Sequence, residues 1–183
     1  MDSMSIRKKE IIVALPSPSD NIILTGFMGC GKSHFSYYLA KELGFALKDT
    51  DSMIEAKANS SIKEIFDNFG ESYFRSLEKE ISLEIQNKCS HTVFATGGGF
   101  PIHCETILEI GTVFYMDIPF EKILERMTQQ ERDKRPLFQD IEQAKALYDS
   151  RLQLYRERSH YQIDATKPIE DMVNFVKSKL NKN

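Results

Sequence analysis

Gly26-Phe27-Met28-Gly29-Cys30-Gly31-Lys32-Ser33 decides the fold. The octet satisfies G-x-x-x-x-G-K-[ST], and it stands in the context that pattern requires. The apolar run Ile22-Ile23-Leu24-Thr25 leads in, and the three- and four-residue apolar spacing of Ser33 to Leu43 leads out. Strand, glycine-rich turn and helix in that order make a phosphate loop. Its glycines let the backbone wrap a phosphate, so that successive N–H groups and the helix N-terminus point at the anion. Lys32 reaches the terminal phosphates, and the Ser33 hydroxyl is placed to ligate Mg²⁺. Cys30 reads as a small filler, without a role for its thiol.

Working outward, four more short apolar runs follow: Phe45-Ala46-Leu47, Thr92 to Ala95, Thr112 to Met116 and Tyr161-Gln162-Ile163. Helical spacing fills the intervals at Ile62 to Phe69, Tyr73 to Cys89, Phe120 to Met127 and Ile141 to Tyr155, and closes the chain at Ile169 to Leu180. Alternation of this kind predicts an α/β three-layer sandwich, with a five-stranded parallel sheet covered on both faces. Residues 21–183 read as one domain. Residues 1–20 are a charged, Pro/Ser-rich lead-in of unassigned role, with a short strand expected at Ile11 to Leu15. Thr128 to Asp140, dense in charge and amide and interrupted by Pro136, is expected to be a mobile lid.

At 183 residues, 41% apolar and 28% charged, the chain has the size and composition of a single globular domain, which sets aside disorder and fibres. Its 24 basic and 27 acidic side chains leave a net charge of −3, without the general positive field that draws nucleic acid. Cys30, Cys89 and Cys104 are odd in number and widely spaced, which fits reduced thiols in a cytoplasm rather than a disulfide framework. The run Ile11 to Leu15 is too short for a signal segment or a bilayer span, so no membrane is expected. A GTPase switch is disfavoured. Asn87-Lys88-Cys89-Ser90 lacks the carboxylate of N-K-x-D, and Asp67-Asn68-Phe69-Gly70 ends a helix instead of following a strand.

Asp49-Thr50-Asp51 closes the second strand. In an extended segment both carboxylates face one pocket at the carboxyl edge of the sheet, one for metal or its water and one for a substrate hydroxyl. The alternative is that Asp51 caps a helix starting at Ser52. Arg151 falls in the middle of the apolar arc of Ala144, Leu147, Tyr148, Leu152, Leu154 and Tyr155, where a guanidinium needs a carboxylate from the protein or from a substrate. Arg75 sits early in its helix, where the macrodipole disfavours a cation; it either marks a nearby anion or pairs with Glu71 or Glu78. Gly97-Gly98-Gly99 let a ligand approach the main chain at the same sheet edge, and Arg132 and Arg135 in the lid either swing over the nucleotide or stay solvated.

Taken together these residues resemble a shikimate kinase from Asn21 onward. The likeness runs through 26–33, Asp49-Thr50-Asp51, Phe74-Arg75-x-x-Glu78, Ala-Thr-Gly-Gly-Gly at 95–99, Arg135-Pro136-Leu137 and Arg151-x-x-Leu154-Tyr155. The resemblance implies a fold like that of nucleoside monophosphate kinases and transfer of the ATP γ-phosphoryl group to the 3-hydroxyl of shikimate, on the route to chorismate and aromatic amino acids. It implies that Gly29, Cys30, Gly31, Lys32, Ser33, His34, Arg135 and Lys167 bind ATP, and that Ser33 and Asp49 hold Mg²⁺. It further implies that Asp51, Arg75, Gly97, Gly98, Gly99 and Arg151 bind the acceptor, and that Lys32, Asp51 and Arg135 carry the reaction in a monomer. Arg126, Arg132 and Lys167 compete for the adenine side. His34 replaces the family's usual Thr, and Gln153 its usual Pro. A gluconate-type kinase and an inactive ATP-binding module are the alternatives.

Overall fold

The computed structural model describes residues 20–133 and 135–180. The expected strand at Ile11 to Leu15 lies outside the described residues. Five strands, β1 (Ile22–Thr25), β2 (Ala46–Asp49), β3 (Thr92–Ala95), β4 (Thr112–Asp117) and β5 (Tyr161–Asp164), form one parallel sheet in the order β2-β3-β1-β4-β5. The helices are α1 (Lys32–Leu43), α2 (Thr50–Ala58), α3 (Ile62–Lys88), α4 (Phe100–His103), α5 (Phe120–Arg126), α6 (Gln129–Asp133), α7 (Ile141–Glu157) and α8 (Ile169–Leu180).

β1 is buried along its whole length and serves both layers. Ile22 and Leu24 pack into a core with Leu39 of α1, Tyr155 of α7 and Val176 of α8, while Ile23 packs with Ile54 of α2, Ile81 of α3 and Phe100 of α4. This is the period of two that a strand imposes, and each such buried side chain contributes about 1.5–3 kcal/mol. β2 departs from the expectation of two covered faces: it is an edge strand with Ala46, Leu47 and Lys48 exposed. From β1 the chain turns first toward β2 and β3, then crosses to β4 on the other side. That reversal opens a crevice at the carboxyl ends of the central strands.

One local feature corrects the expectations from sequence, and two more add detail to them. The segment Asp49-Thr50-Asp51 is not extended, because the chain turns helical at Thr50. Asp49, not Asp51, is the cap, its Oδ1 accepting from the amides of Asp51 at 2.9 Å and Ser52 at 3.1 Å. The helices expected at Ile62 to Phe69 and Tyr73 to Cys89 are joined into α3 across a kink at Gly70 (φ 77°, ψ 176°). The lid is partly ordered by α6 and a 3₁₀ turn at Pro136–Gln139, and it is packed at one end. There Phe138, 4% exposed, lies nearly parallel to Phe120 and edge-on to Phe27 of the phosphate loop, with centroids 6.4 and 6.3 Å away.

Candidate active site

The loop between β1 and α1 takes its shape from positive φ at Gly29 (81°) and Gly31 (99°), values that an L side chain resists. Lys32 Nζ folds back on the loop's own carbonyls, donating to Gly26 O at 2.7 Å and Phe27 O at 3.0 Å. The Cys30 side chain is buried inside the loop, and its amide donates to Phe27 O at 3.2 Å. Phe27 anchors the loop from below, edge-on to Tyr148 at 5.4 Å.

A cavity of about 620 Å³ opens over this loop. Gly29, Gly31, Lys32, Ser33 and His34 form one wall, Asp49, Asp51, Gly97 and Gly98 the opposite one, and Arg135 lies in the lid above. Ten of the residues singled out in the sequence therefore meet in one place. Met28, Thr96, Pro136 and Leu137, which lie inside the quoted motifs, also line it, as does Glu131, which no motif contains. A larger groove of about 710 Å³ between β2, α2 and α3 holds none of the phosphate-loop residues.

Arg135 reaches back over the loop. Its Nη1 lies 3.2 Å from where a Cβ on Gly29 would stand, and it is buried without a hydrogen-bond partner among the described residues. A buried guanidinium nitrogen in that condition calls for an anion. Arg132 is turned elsewhere, its Nη2 donating to Leu124 O. Arg126 Nη1 donates to Ala165 O at 2.8 Å, tying α5 to the turn after β5. Lys167 stands exposed in that same turn and does not line the cavity, so the structure does not bring it to the phosphate loop.

The glycine triplet after β3 has a structural reason that the sequence hid. None of the three has a positive φ; Gly97 and Gly99 are each placed against a functional side chain. A Cβ on Gly97 would overlap Asp51 Oδ1, and one on Gly99 would stand 3.1 Å from Arg75 Nη1. Gly97 N donates to Thr50 Oγ1 at 3.1 Å, and Gly98 O accepts from Tyr155 Oη at 2.7 Å. Tyr155 is fully buried and stacked on Tyr115 with centroids 5.3 Å apart. One phenol thus ties α7, the helix that carries Arg151, to the glycine turn, a role that the sequence did not suggest.

Asp51 is the electrostatic focus. Burial, followed by the charges of Asp49 and Glu78, raises its carboxyl from the ordinary 3.8 to about 6, against the smaller opposing pull of Lys32. Such a value brings a carboxylate close to neutral pH, where it accepts a proton more readily than an exposed one.

Arg75 and Arg151 do not line the phosphate cavity; Arg75 stands against Gly99, at the far end of the glycine turn. Arg75 pairs with both of its sequence-predicted alternatives, Glu71 at 2.7 Å and Glu78 at 2.8 Å, and with Glu78 it lines a separate cavity of about 340 Å³. Burial pushes the Glu78 carboxyl up, although Arg75 opposes the change. Arg151 has no ion pair among the described residues, so no internal carboxylate answers the guanidinium set in its apolar arc.

A phosphate loop facing a half-buried carboxylate across a glycine turn, with an unsatisfied arginine overhead, defines a P-loop kinase that phosphorylates a small acceptor. The comparisons narrow the class. The family model for shikimate kinase matches residues 28–181. The shikimate kinase of Helicobacter hepaticus is 43% identical over 145 residues, covering 79% of this chain and 86% of that one. A shikimate kinase of Clostridium botulinum is 38% identical over 87% of this chain and 95% of its own. The solved structure of shikimate kinase from Acinetobacter baumannii in complex with shikimate superposes with a TM-score of 0.77 at 32% identity, covering 90% of this chain and 95% of that one. The chain belongs to the shikimate kinase family.

Proposed function

We propose that the protein moves the γ-phosphoryl group of ATP to the 3-hydroxyl of shikimate, giving shikimate 3-phosphate and ADP for aromatic biosynthesis. The observation that carries this reading is Asp51, a carboxylate raised to about 6 and wedged against Gly97 in the cavity that Lys32 and Arg135 share. Phosphoryl transfer asks little covalent chemistry of a protein; positioning and charge neutralisation supply most of the rate. In this reading Lys32 releases its two loop carbonyls and turns to the β- and γ-phosphates. The free Nη1 of Arg135 takes an oxygen of the group in transit. Asp51 orients the acceptor hydroxyl and receives its proton.

Arg75 and Arg151 bind the carboxylate of shikimate, and the Gly98 region a second hydroxyl. Among the described residues no group of three His, Cys, Asp or Glu side chains cages a metal. The hydroxyl of Ser33 and the carboxylate of Asp49, which both line the cavity, are the sparse oxygen set that magnesium uses when nucleotide phosphates complete its shell. Bound there, Mg²⁺ would neutralise phosphate charge. The three cysteines are buried and unpaired, and no helix of the described residues is long and apolar enough to cross a membrane. In this reading the protein is a cytoplasmic monomer that acts on diffusible substrates.

Coupled ADP release with Mg·ATP and a panel of shikimate, quinate, gluconate and nucleoside monophosphates tests the assignment. Release that depends on shikimate is expected. Release with gluconate alone would overturn the acceptor, and ATP binding without release would point to an inactive module.

A further inference from the structure

Arg75 has an inner and an outer carboxylate. Glu78, 3% exposed, accepts from Nη1 at 2.8 Å and is fixed in the core. Glu71, 62% exposed, accepts with a single oxygen from both Nε at 3.1 Å and Nη2 at 2.7 Å, filling one whole edge of the planar fork. A guanidinium recognises a carboxylate along such an edge. Glu71 follows directly on the kink at Gly70, so its backbone opens the second half of α3, one turn before Arg75.

We propose that Glu71 is an internal stand-in for the acceptor's carboxylate, holding the Arg75 fork while the site is empty and leaving it when shikimate binds. The inference rests on the acceptor reading above. Three observations support it. Charge balance is the first: Arg75 already answers two carboxylates, Glu71 on Nε and Nη2 and Glu78 on Nη1, so a third arriving with the substrate finds no free edge of its fork unless one of the two leaves. Exposure is the second, since Glu78 would be stranded in the core without its partner whereas Glu71 only passes into water. The third is the field at Glu71, whose carboxyl is held below the usual range by Arg75 first and then by His103 and Arg151. Glu71 therefore lies where an anion feels both arginines assigned to the acceptor. Its neighbour His103 is itself held toward the neutral form by burial and by Arg75. Exchange of one exposed carboxylate for another keeps the arginine aimed while lowering the affinity for the acceptor.

The test is Glu71→Gln, which keeps length and removes charge, beside Glu78→Gln. Calorimetric titration of shikimate into nucleotide-free protein is combined with steady-state kinetics. For Glu71→Gln a fall of about two- to fivefold in the shikimate Kd and KM is expected, the range that exposed ion pairs carry. The KM for ATP, kcat and melting temperature should hold. Glu78→Gln should move the shikimate constants the opposite way. A tighter site cannot arise from a damaged fold, so the sign decides. Unchanged or weaker shikimate binding in Glu71→Gln would overturn the proposal and make Glu71 a support for Arg75. Failure of the wild type to bind or phosphorylate shikimate would overturn the acceptor reading and this inference with it.

Discussion

Replacing Asp51 by Asn should separate stability from activity. The carboxyl is raised from 3.8 to about 6 in the fold, so the folded protein holds the proton more tightly than the unfolded chain does. The favourable contribution of the protonated form is complete below about pH 4 and is lost as pH rises through about 6. Above that point ionised Asp51 destabilises the fold by about 3 kcal/mol, since each tenfold difference in proton affinity is worth about 1.36 kcal/mol. Asparagine has the same shape and no charge to desolvate. At pH 7.5 Asp51→Asn should therefore melt higher by up to roughly 6–12 °C, at about 2–4 °C per kcal/mol for a chain of this size. The gap should narrow steadily between pH 6 and pH 4 and nearly close below. Turnover should all but vanish while nucleotide still binds, and in the wild type kcat/KM should fall as pH drops below about 6. Thermal melts of both proteins across pH 4–8, with coupled ADP release alongside, measure all of this. A variant no more stable than wild type at pH 7.5, or a melting gap that does not depend on pH, would refute the account of Asp51 as a carboxylate strained by burial and like charge.

Gly97→Ala adds a Cβ that overlaps Asp51 Oδ1, so Asp51 must move; kcat should drop by about a hundredfold, the scale of an ångström's misplacement, while a nucleotide analogue binds as before. Full activity in that variant would mean that the turn yields instead. Arg151→Lys keeps the charge but loses the planar fork, and the shikimate KM should rise roughly tenfold with the ATP KM unchanged. Steady-state kinetics with each substrate varied in turn would expose a contrary result.

The parts legible in the sequence were those governed by short-range rules. β1 and its loop were readable because a fully buried strand is continuously apolar and a phosphate loop needs glycine and lysine at fixed offsets. Even the kink of α3 showed as a gap between two apolar periods at Gly70. α2 was missed because it buries only Thr50 and Ile54, too few for a periodic signal, and because an aspartate ending a strand looks the same whether it faces a pocket or caps a helix. The site residues were found by type, but their contacts were not: the reason for Gly97 and for Gly99 lies in a side chain distant in sequence, and Tyr155 acts through a carbonyl fifty-seven positions away. The packing of Phe138 against Phe27 was hidden in the same way, inside a segment whose charge suggested only solvent.

The position of β1 in the sheet has a consequence for how the chain is made. It is the first strand of the sheet to leave the ribosome and the one that ends at the centre, yet both of its neighbours come later, β3 beginning at Thr92 and β4 at Thr112. At a synthesis rate of about 5–20 residues per second, an entirely buried tetrapeptide waits roughly 3–13 s for its first partner. During that interval the strand's apolar side chains are uncovered, the condition under which nascent chains engage chaperones. A fragment ending before Thr92 should bind a hydrophobic-surface dye and yield quickly to protease, and one extended past β4 should resist. Equal resistance of the two would show that α1 alone shelters the strand.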